Sequence, residues 1–197
     1  IDRKFRIRSE PSRSYAACTD TLDEVVDALL RELTLDLEYE SRRGPRTFSG
    51  LRPLSLVLYR RALYLLARTS SGDRVLRLPV ERITRVTRGA PFDYPDAWDP
   101  DAELRPWFGI ISGETPQWIT LEFSRKVAHL VRARTWHPTQ RLDDVEGGRV
   151  RLRIWSGGTE LVRFCLEWGE NCTVVEPRWL RDEVVRELRG ALAQYET

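Results

Sequence analysis

The sequence predicts an α+β protein of two domains, a small antiparallel β-barrel followed by a βαββαβ domain with a C-terminal helix. Three observations point there. Apolar runs between residues 54 and 88 alternate with period two and are parted by tight turns, as short antiparallel strands are. Residues 118–197 switch between strand-like and helix-like periodicity in the order β, α, β, β, α, β, α. Between them, residues 89–117 are broken by Gly89, Pro91, Pro95, Pro100, Pro106 and Pro116.

In chain order, Lys4 to Arg8 alternates as a short strand. Thr21 and Glu24 make a capping-box pattern ahead of a helix. Its apolar stripe is Leu22, Val25, Val26, Leu29, Leu30 and Leu33, and Asp20, Asp23, Glu24, Asp27 and Glu32 make the other face acidic. Leu35 to Tyr39 alternates as a strand. Leu54 to Tyr59 and Leu63 to Arg68 form the next two, joined through Arg60, Arg61 and Ala62. The turn Ser70-Ser71-Gly72-Asp73 leads into Val75 to Val80, and Glu81 to Arg88 continues the sheet. The broken stretch is acidic (Asp93, Asp96, Asp99, Asp101, Glu103). Its Phe92, Tyr94, Trp98, Trp107 and Phe108 predict a strap that packs down.

The second domain opens with a strand, Trp118 to Phe123, and Ser124 caps a short helix through Arg134. Thr135 to Arg141 is extended, and Gly147-Gly148 turns the chain into the strand Arg149 to Trp155. Leu161, Phe164, Cys165 and Trp168 lie on one helical stripe ended by Gly169. After the strand Cys172 to Glu176, Pro177 starts a helix with the stripe Leu180, Val184, Leu188, Leu192 and Tyr195. This order is the split-βαβ, ferredoxin-like plan.

Composition narrows the class. The 197 residues are 41% hydrophobic with seven Trp, enough to build real cores. No apolar run approaches the ~20 residues that span a bilayer. Arg3, Lys4, Arg6 and Arg8 lead into a polar segment, so no signal peptide is expected. Cys18, Cys165 and Cys172 are odd in number and lack metal-ligand spacing, which predicts free thiols in a reducing cytoplasm. With no Met and a start at Ile1, the chain reads as a piece of a longer polypeptide. The histidines are His129 and His137. There is no Gly-rich phosphate loop, nucleophile elbow or paired-carboxylate motif. A non-enzyme without metal or cofactor is expected.

The strongest functional signal is charge. Twelve arginines fall between Arg42 and Arg88, with only Asp73 and Glu81 among them, on a chain whose net charge is +2. Only Lys4 and Lys126 are lysines, so the basic surface is built from guanidinium forks that suit phosphate and stack on aromatics. Threaded through strands, these arginines make a sheet surface for phosphates or another polyanion. Tyr64 can stack a base or donate to a phosphate, or it can be an ordinary strand tyrosine. Arg74, Arg77 and Arg82 can supply forked donors beside it, or pair with the acids at 20–40 and 93–103 for roughly 0–1 kcal/mol each. Arg149, Arg151 and Arg153 alternate on a second strand as a nucleic-acid track, a dimer interface or a solvated face.

Several motifs in order resemble the WYL domain, a sensor module of bacterial transcription regulators. Leu63-Tyr64-Leu65 is similar to the eponymous tripeptide, with Leu for Trp. Arg52-Pro53-Leu54 with Leu56 and Tyr59 looks like the family's entry, and Glu81-Arg82-Ile83 like its Asp-Arg-Ile end. Arg77 lies near the family's upstream arginine. Phe108-Gly109-Ile110 with Gly113, then Trp136-His137-Pro138-Thr139-Gln140 and Glu176-Pro177 with Leu180-Arg181, resemble the C-terminal (WCX-type) extension that often follows. The resemblance implies an Sm-like, SH3-type barrel domain over 1–105 and the α/β extension over 106–197. It also implies an N-terminal winged helix-turn-helix missing from this chain, homodimerisation, and a nucleic-acid or nucleotide-like ligand in a basic barrel pocket. The expected ligand-binding residues are Tyr59, Tyr64, Arg74, Arg77 and Arg82, with His137 and Gln140 supporting the fold or rimming the ligand. Two other readings stand beside it. One is an accessory module docking an acidic partner; the other is an RNA binder using the ferredoxin-like sheet, for which the Arg-Gly-Phe-type aromatic signature is missing.

Overall fold

The computed structural model describes residues 15–72 and 74–196, so the expected strand Lys4 to Arg8 and the turn residue Asp73 lie outside the described residues. The chain forms two compact units that part between Trp98 and Asp99, where the sequence reading placed the boundary between 105 and 106.

In the first unit, helix α1 (Thr19–Leu30) precedes β1 (Leu33–Ser41), β2 (Gly44–Tyr59), β3 (Ala62–Arg68), β4 (Val75–Pro79) and β5 (Ile83–Pro91), all pairing antiparallel in the order β4-β3-β2-β1-β5. Val25 and Ala28 of α1 fill a core with Leu35, Leu37, Leu51, Leu65, Ala67, Leu78 and Ile83. Strands β1, β3 and β4 put alternate residues into it, which fixes their register, and bulges reset the alternation along β2 and β5.

The expected closed barrel is not what forms: β4 and β5 remain the two edges of an open sheet. The sheet is nevertheless strongly curled. A flat five-stranded sheet would hold its edges roughly 19 Å apart at ~4.8 Å per strand. The step from Pro79 to Ile83, through the 3₁₀ turn Val80–Arg82, reaches at most ~14 Å. Part of the bend comes from a bulge between Leu35 and Leu37, where Gly50 takes φ +63° and its N–H donates to Asp36 Oδ1 at 2.7 Å.

Strand β2 starts ten residues before the expected Leu54. Pro45, Gly50 and Pro53 disguise it as a loop, and the hairpin to β1 makes it a strand. The capping box is also not realised. The helix starts at Thr19 and has no side-chain cap, so Thr21 already lies inside it. The aromatic stretch straps down as expected, with Tyr94 donating its hydroxyl to Leu54 O at 2.6 Å and Trp98 Nε1 to Ser55 Oγ at 2.9 Å.

The second unit opens with α2 (Pro100–Leu104), a helix hidden in the sequence by its prolines. Pro100 takes the first position and the Asp99 carboxylate accepts from Asp101 N. Then follow β6 (Gln117–Phe123), α3 (Ala128–Arg132), β7 (Arg141–Val145), β8 (Arg149–Ser156), α4 (Glu160–Glu167), β9 (Cys172–Glu176) and α5 (Arg178–Ala193). The sheet is antiparallel in the order β7-β8-β6-β9. Helices α3, α4 and α5 supply Val131, Leu161, Phe164, Leu180 and Val184 to one core with Ile119, Leu121, Phe123, Leu152 and Ile154. The second strand is residues 141–145 and not 135–141, because the side chains of 136–140 fold that segment into a loop. Gly109 sits at φ +106°, and a Cβ there would run into the Glu160 carboxylate, which accepts from Ile110 N at 2.7 Å and Ile111 N at 2.9 Å.

Candidate functional site

One end of the curled sheet gathers tyrosines and arginines. Tyr39, near the end of β1, is 8% exposed, and the Arg82 guanidinium lies 5.4 Å from its ring centre. Burial pushes the Tyr39 hydroxyl above its ordinary value; the charge of Arg82 pulls against that rise, and nearby Tyr64 adds to it. Tyr64 meets Tyr59 edge-to-face at 6.5 Å, and Arg60 lies 5.6 Å from the Tyr59 ring. Arg42 is close enough to act on Tyr39 electrostatically.

The backbone here is unusual. Arg60 and Arg61 form the two-residue turn between β2 and β3, at φ 44° and 63°. Hairpin turns of this kind prefer Asn-Gly or Gly-Gly, and two left-handed arginines in a row store strain. The turn places the Arg60 guanidinium beside the tyrosine pair.

The other predicted residues go elsewhere. Arg77 shares a sheet face with Tyr64, since Leu66 opposes Arg77 and Pro79 opposes Tyr64, and it is half-buried. Arg74 precedes β4 at the end remote from Tyr64, five residues from Pro79 and so roughly 16 Å along the strand; it does not join the cluster. Arg85 pairs with Glu38, and Arg88 pairs with Glu24 and Asp27, so part of the arginine excess is neutralised by the acidic helix and β1. Arg68 lies over Trp98. The reading from sequence missed Tyr39, Arg42 and Arg60. Alternation marked Tyr39 only as a core position, and nothing local shows that β1 ends beside the 3₁₀ turn.

Residues 20–88 match the WYL domain and residues 115–192 the WCX domain. The chain carries a WYL domain followed by a WCX domain. No curated protein matches it. Among solved structures, it resembles a CRISPR Cas-related protein at 12% identity and TM-score 0.58, over 89% of this chain and 51% of that one. It also resembles the proteasome accessory factor B/C (PafBC) of Arthrobacter aurescens at 21% identity and TM-score 0.45, over 94% of this chain and 29% of that one. The chain therefore spans about half, and under a third, of the length of these two structures.

The WYL domain holds the tyrosine–arginine cluster, while His137 and Gln140 belong to the WCX domain and hold its Trp-His-Pro-Thr-Gln loop together. Gln140 Oε1 accepts from Trp136 N at 2.6 Å, and its Nε2 donates to Arg134 O at 3.3 Å. His137 is 5% exposed. Its Nε2 donates to Arg105 O at 3.0 Å and its Nδ1 accepts from Thr139 Oγ1 at 2.8 Å, which sets a neutral tautomer. Burial lowers its affinity for a proton, partly offset by the Arg105 carbonyl.

A group whose folded pKa is depressed leaves the unfolded chain binding more protons. The contribution of His137 to WCX stability is therefore complete above the ordinary value of 6.5 and is lost as pH falls below it, toward the folded pKa. Thermal melts between pH 7.5 and 5 are expected to show this loss, and His137→Gln to flatten it; an unchanged slope in the variant would reject the assignment.

The thiols of Cys165 and Cys172 adjoin, and with burial this pushes Cys172 well above the ordinary thiol range, so it stays protonated. Among the described residues no group of three His, Cys, Asp or Glu is placed to hold a metal, and no helix is long and apolar enough to cross a membrane.

Proposed function

We propose that this WYL–WCX chain is the ligand-sensing and dimerising part of a bacterial transcription regulator. The observation that supports this best is the packing of Arg82 on Tyr39 within reach of Tyr64, at the strained Arg60–Arg61 turn. Rings supply stacking surfaces and guanidinium groups supply forked donors, a pairing that suits a nucleotide-like anion or the end of a short single strand. Arg77 extends the cationic surface along β4. We read the curled WYL sheet as an open Sm-like, SH3-type barrel and the WCX order β7-β8-β6-β9 as ferredoxin-like.

Signal would reach DNA through the winged helix-turn-helix that the family resemblance implies, in the cytoplasm. For that, the ligand must favour one dimer arrangement over another. The second half of α5 supports a dimer: Leu188 and Leu192 share a helical stripe at 46% and 56% exposed, and Tyr195, in the turn just past the helix, is 88% exposed. Leu188→Glu with Leu192→Glu is expected to shift sedimentation from dimer to monomer. A parent that already sediments as a monomer would reject this interface.

The ligand reading is tested by thermal shift with a panel of mononucleotides, cyclic nucleotides and short oligonucleotides. A true ligand at a hundredfold excess over its Kd stabilises by about 2.7 kcal/mol. Stabilisation by none of them would overturn the sensor reading.

A further inference from the structure

The WCX sheet packs one face under its three helices, and its other face carries aromatic and charged side chains. The register shows what lies there. Trp118 of β6 stands directly opposite Trp155 of β8, Thr120 opposite Arg153, and Glu122 opposite Arg151. Arg141 and Asp143 of the neighbouring β7 oppose Arg153 and Arg151. The two indoles are 42% and 43% exposed and meet edge-to-face at 5.8 Å at one end of the two central strands. Arg141 lies 5.1 Å from the Trp118 ring. The aromatic signature missing from any one segment is thus assembled across two central strands.

Two cavities adjoin this pair, both lined by Trp118. One of about 650 Å³ is also lined by Trp155, Gln117, Pro177 and Arg181. The other, of about 310 Å³, is lined by Thr120, Arg141 and Arg153. Each is large enough for a planar ring with its phosphate. Glu176 lines both and offers an acceptor for a base amino group. Arg149 and Arg151 share Glu122, and Arg153 pairs with Asp143 through Nη2 while its buried Nε lacks a hydrogen-bond partner. Among the described residues no carboxylate pairs with Arg141. Five guanidinium groups (Arg141, Arg149, Arg151, Arg153 and Arg181) therefore face three carboxylates (Glu122, Asp143 and Glu176), leaving the face cationic.

Exposed tryptophans beside surplus arginines and ring-sized clefts suit successive bases and the phosphates between them. Pairing of this face with itself in a second copy would set like charge against like charge. We propose that the Trp118–Trp155 face of the WCX sheet binds single-stranded nucleic acid, with bases on the two indoles and phosphates on Arg141 and Arg153. This site is separate from the Tyr64–Arg82 cluster and does not depend on it.

The Thr139 hydroxyl oxygen accepts from Trp155 N at 2.8 Å while engaging His137, so the Trp-His-Pro-Thr-Gln loop holds the platform strand in place.

The test uses the full chain and an oligothymidine of about eight nucleotides. With 5-iodouracil in the strand, photocrosslinks mapped by mass spectrometry are expected at Trp118 or Trp155; crosslinks confined to Tyr39, Tyr59 or Tyr64 would overturn the proposal. By anisotropy, Trp118→Ala and Trp155→Ala are each expected to weaken binding about tenfold, with Trp→Phe at either position restoring most of it. Arg163→Ala, on α4 at the helix-covered side of the sheet, should leave this binding in place. Unchanged affinity in both alanine variants would sink the idea, as would a change in sedimentation without a change in affinity, which would mark the face as a contact between copies.

Discussion

Phe164→Ala is expected to destabilise the WCX domain by about 3–5 kcal/mol. The ring is 3% exposed and sits at the centre of an aromatic cluster, with Phe108 at 4.8 Å, Trp136 at 5.2 Å, and Phe123 and Trp168 at 6.3 Å. These neighbours have little room to collapse into the space it leaves. Trp136 is tethered through Nε1 to Val131 O at 3.0 Å, and Phe123 is fixed in the central strand β6. The loss is a large part of the roughly 5–15 kcal/mol that holds a domain folded. Urea denaturation followed by tryptophan fluorescence would measure it, and Phe164→Leu should recover more than half. A loss below about 1 kcal/mol would mean that the rings do not pack as a unit.

Arg82→Ala is expected to weaken ligand binding to the WYL domain by roughly tenfold to a hundredfold, the worth of a charged hydrogen-bond pair of about 1.5–3 kcal/mol. The cost to folding should be small, because a cation–π contact of this kind contributes about 0.5–1 kcal/mol. Arg82→Lys keeps the charge and loses the fork, so it should recover only part of the affinity. Tyr64→Ala removes a stacking surface and is expected to act in the same direction. The measurement is the thermal shift given by whichever member of the nucleotide panel stabilises the parent. If both alanine variants shift like the parent, the ligand does not sit at this end of the sheet.

Much of this was legible from local pattern. The strands β3, β6, β8 and β9 and the α4 stripe follow periodicity, because each buries one face; of the expected α1 stripe Val26 and Leu30 are exposed and Leu33 belongs to β1, and of the α5 stripe only Leu180 and Val184 are buried. Tyr64 and Arg82 came from motif, and the structure brings them to the same end of the sheet. What stayed hidden depends on pairing. Residues 44–53 become strand only because the hairpin at Arg42–Arg43 lays them against β1. Tyr39 joins the cluster only because the chain turns a three-residue corner at Val80–Arg82. Arg74 looked like a neighbour of Tyr64 by composition, but strand direction carries it to the far end. Trp118 and Trp155 lie 37 positions apart in sequence and become partners only through the register of β6 and β8.

An open curled sheet also exposes two rows of unsatisfied backbone amides and carbonyls, which invite fibrous self-association. The chain blunts both margins with chemistry already described. On β5, Arg85 and Arg88 are charged side chains held in ion pairs to β1 and α1, and Pro91 closes the strand. On β4, the strand is only five residues long and ends at Pro79, which has no amide to donate. Arg85 and Arg88, held by acids of β1 and α1 outside the tyrosine–arginine cluster, thus help keep neighbouring molecules from zipping together, so neutralising them costs solubility without touching the ligand site.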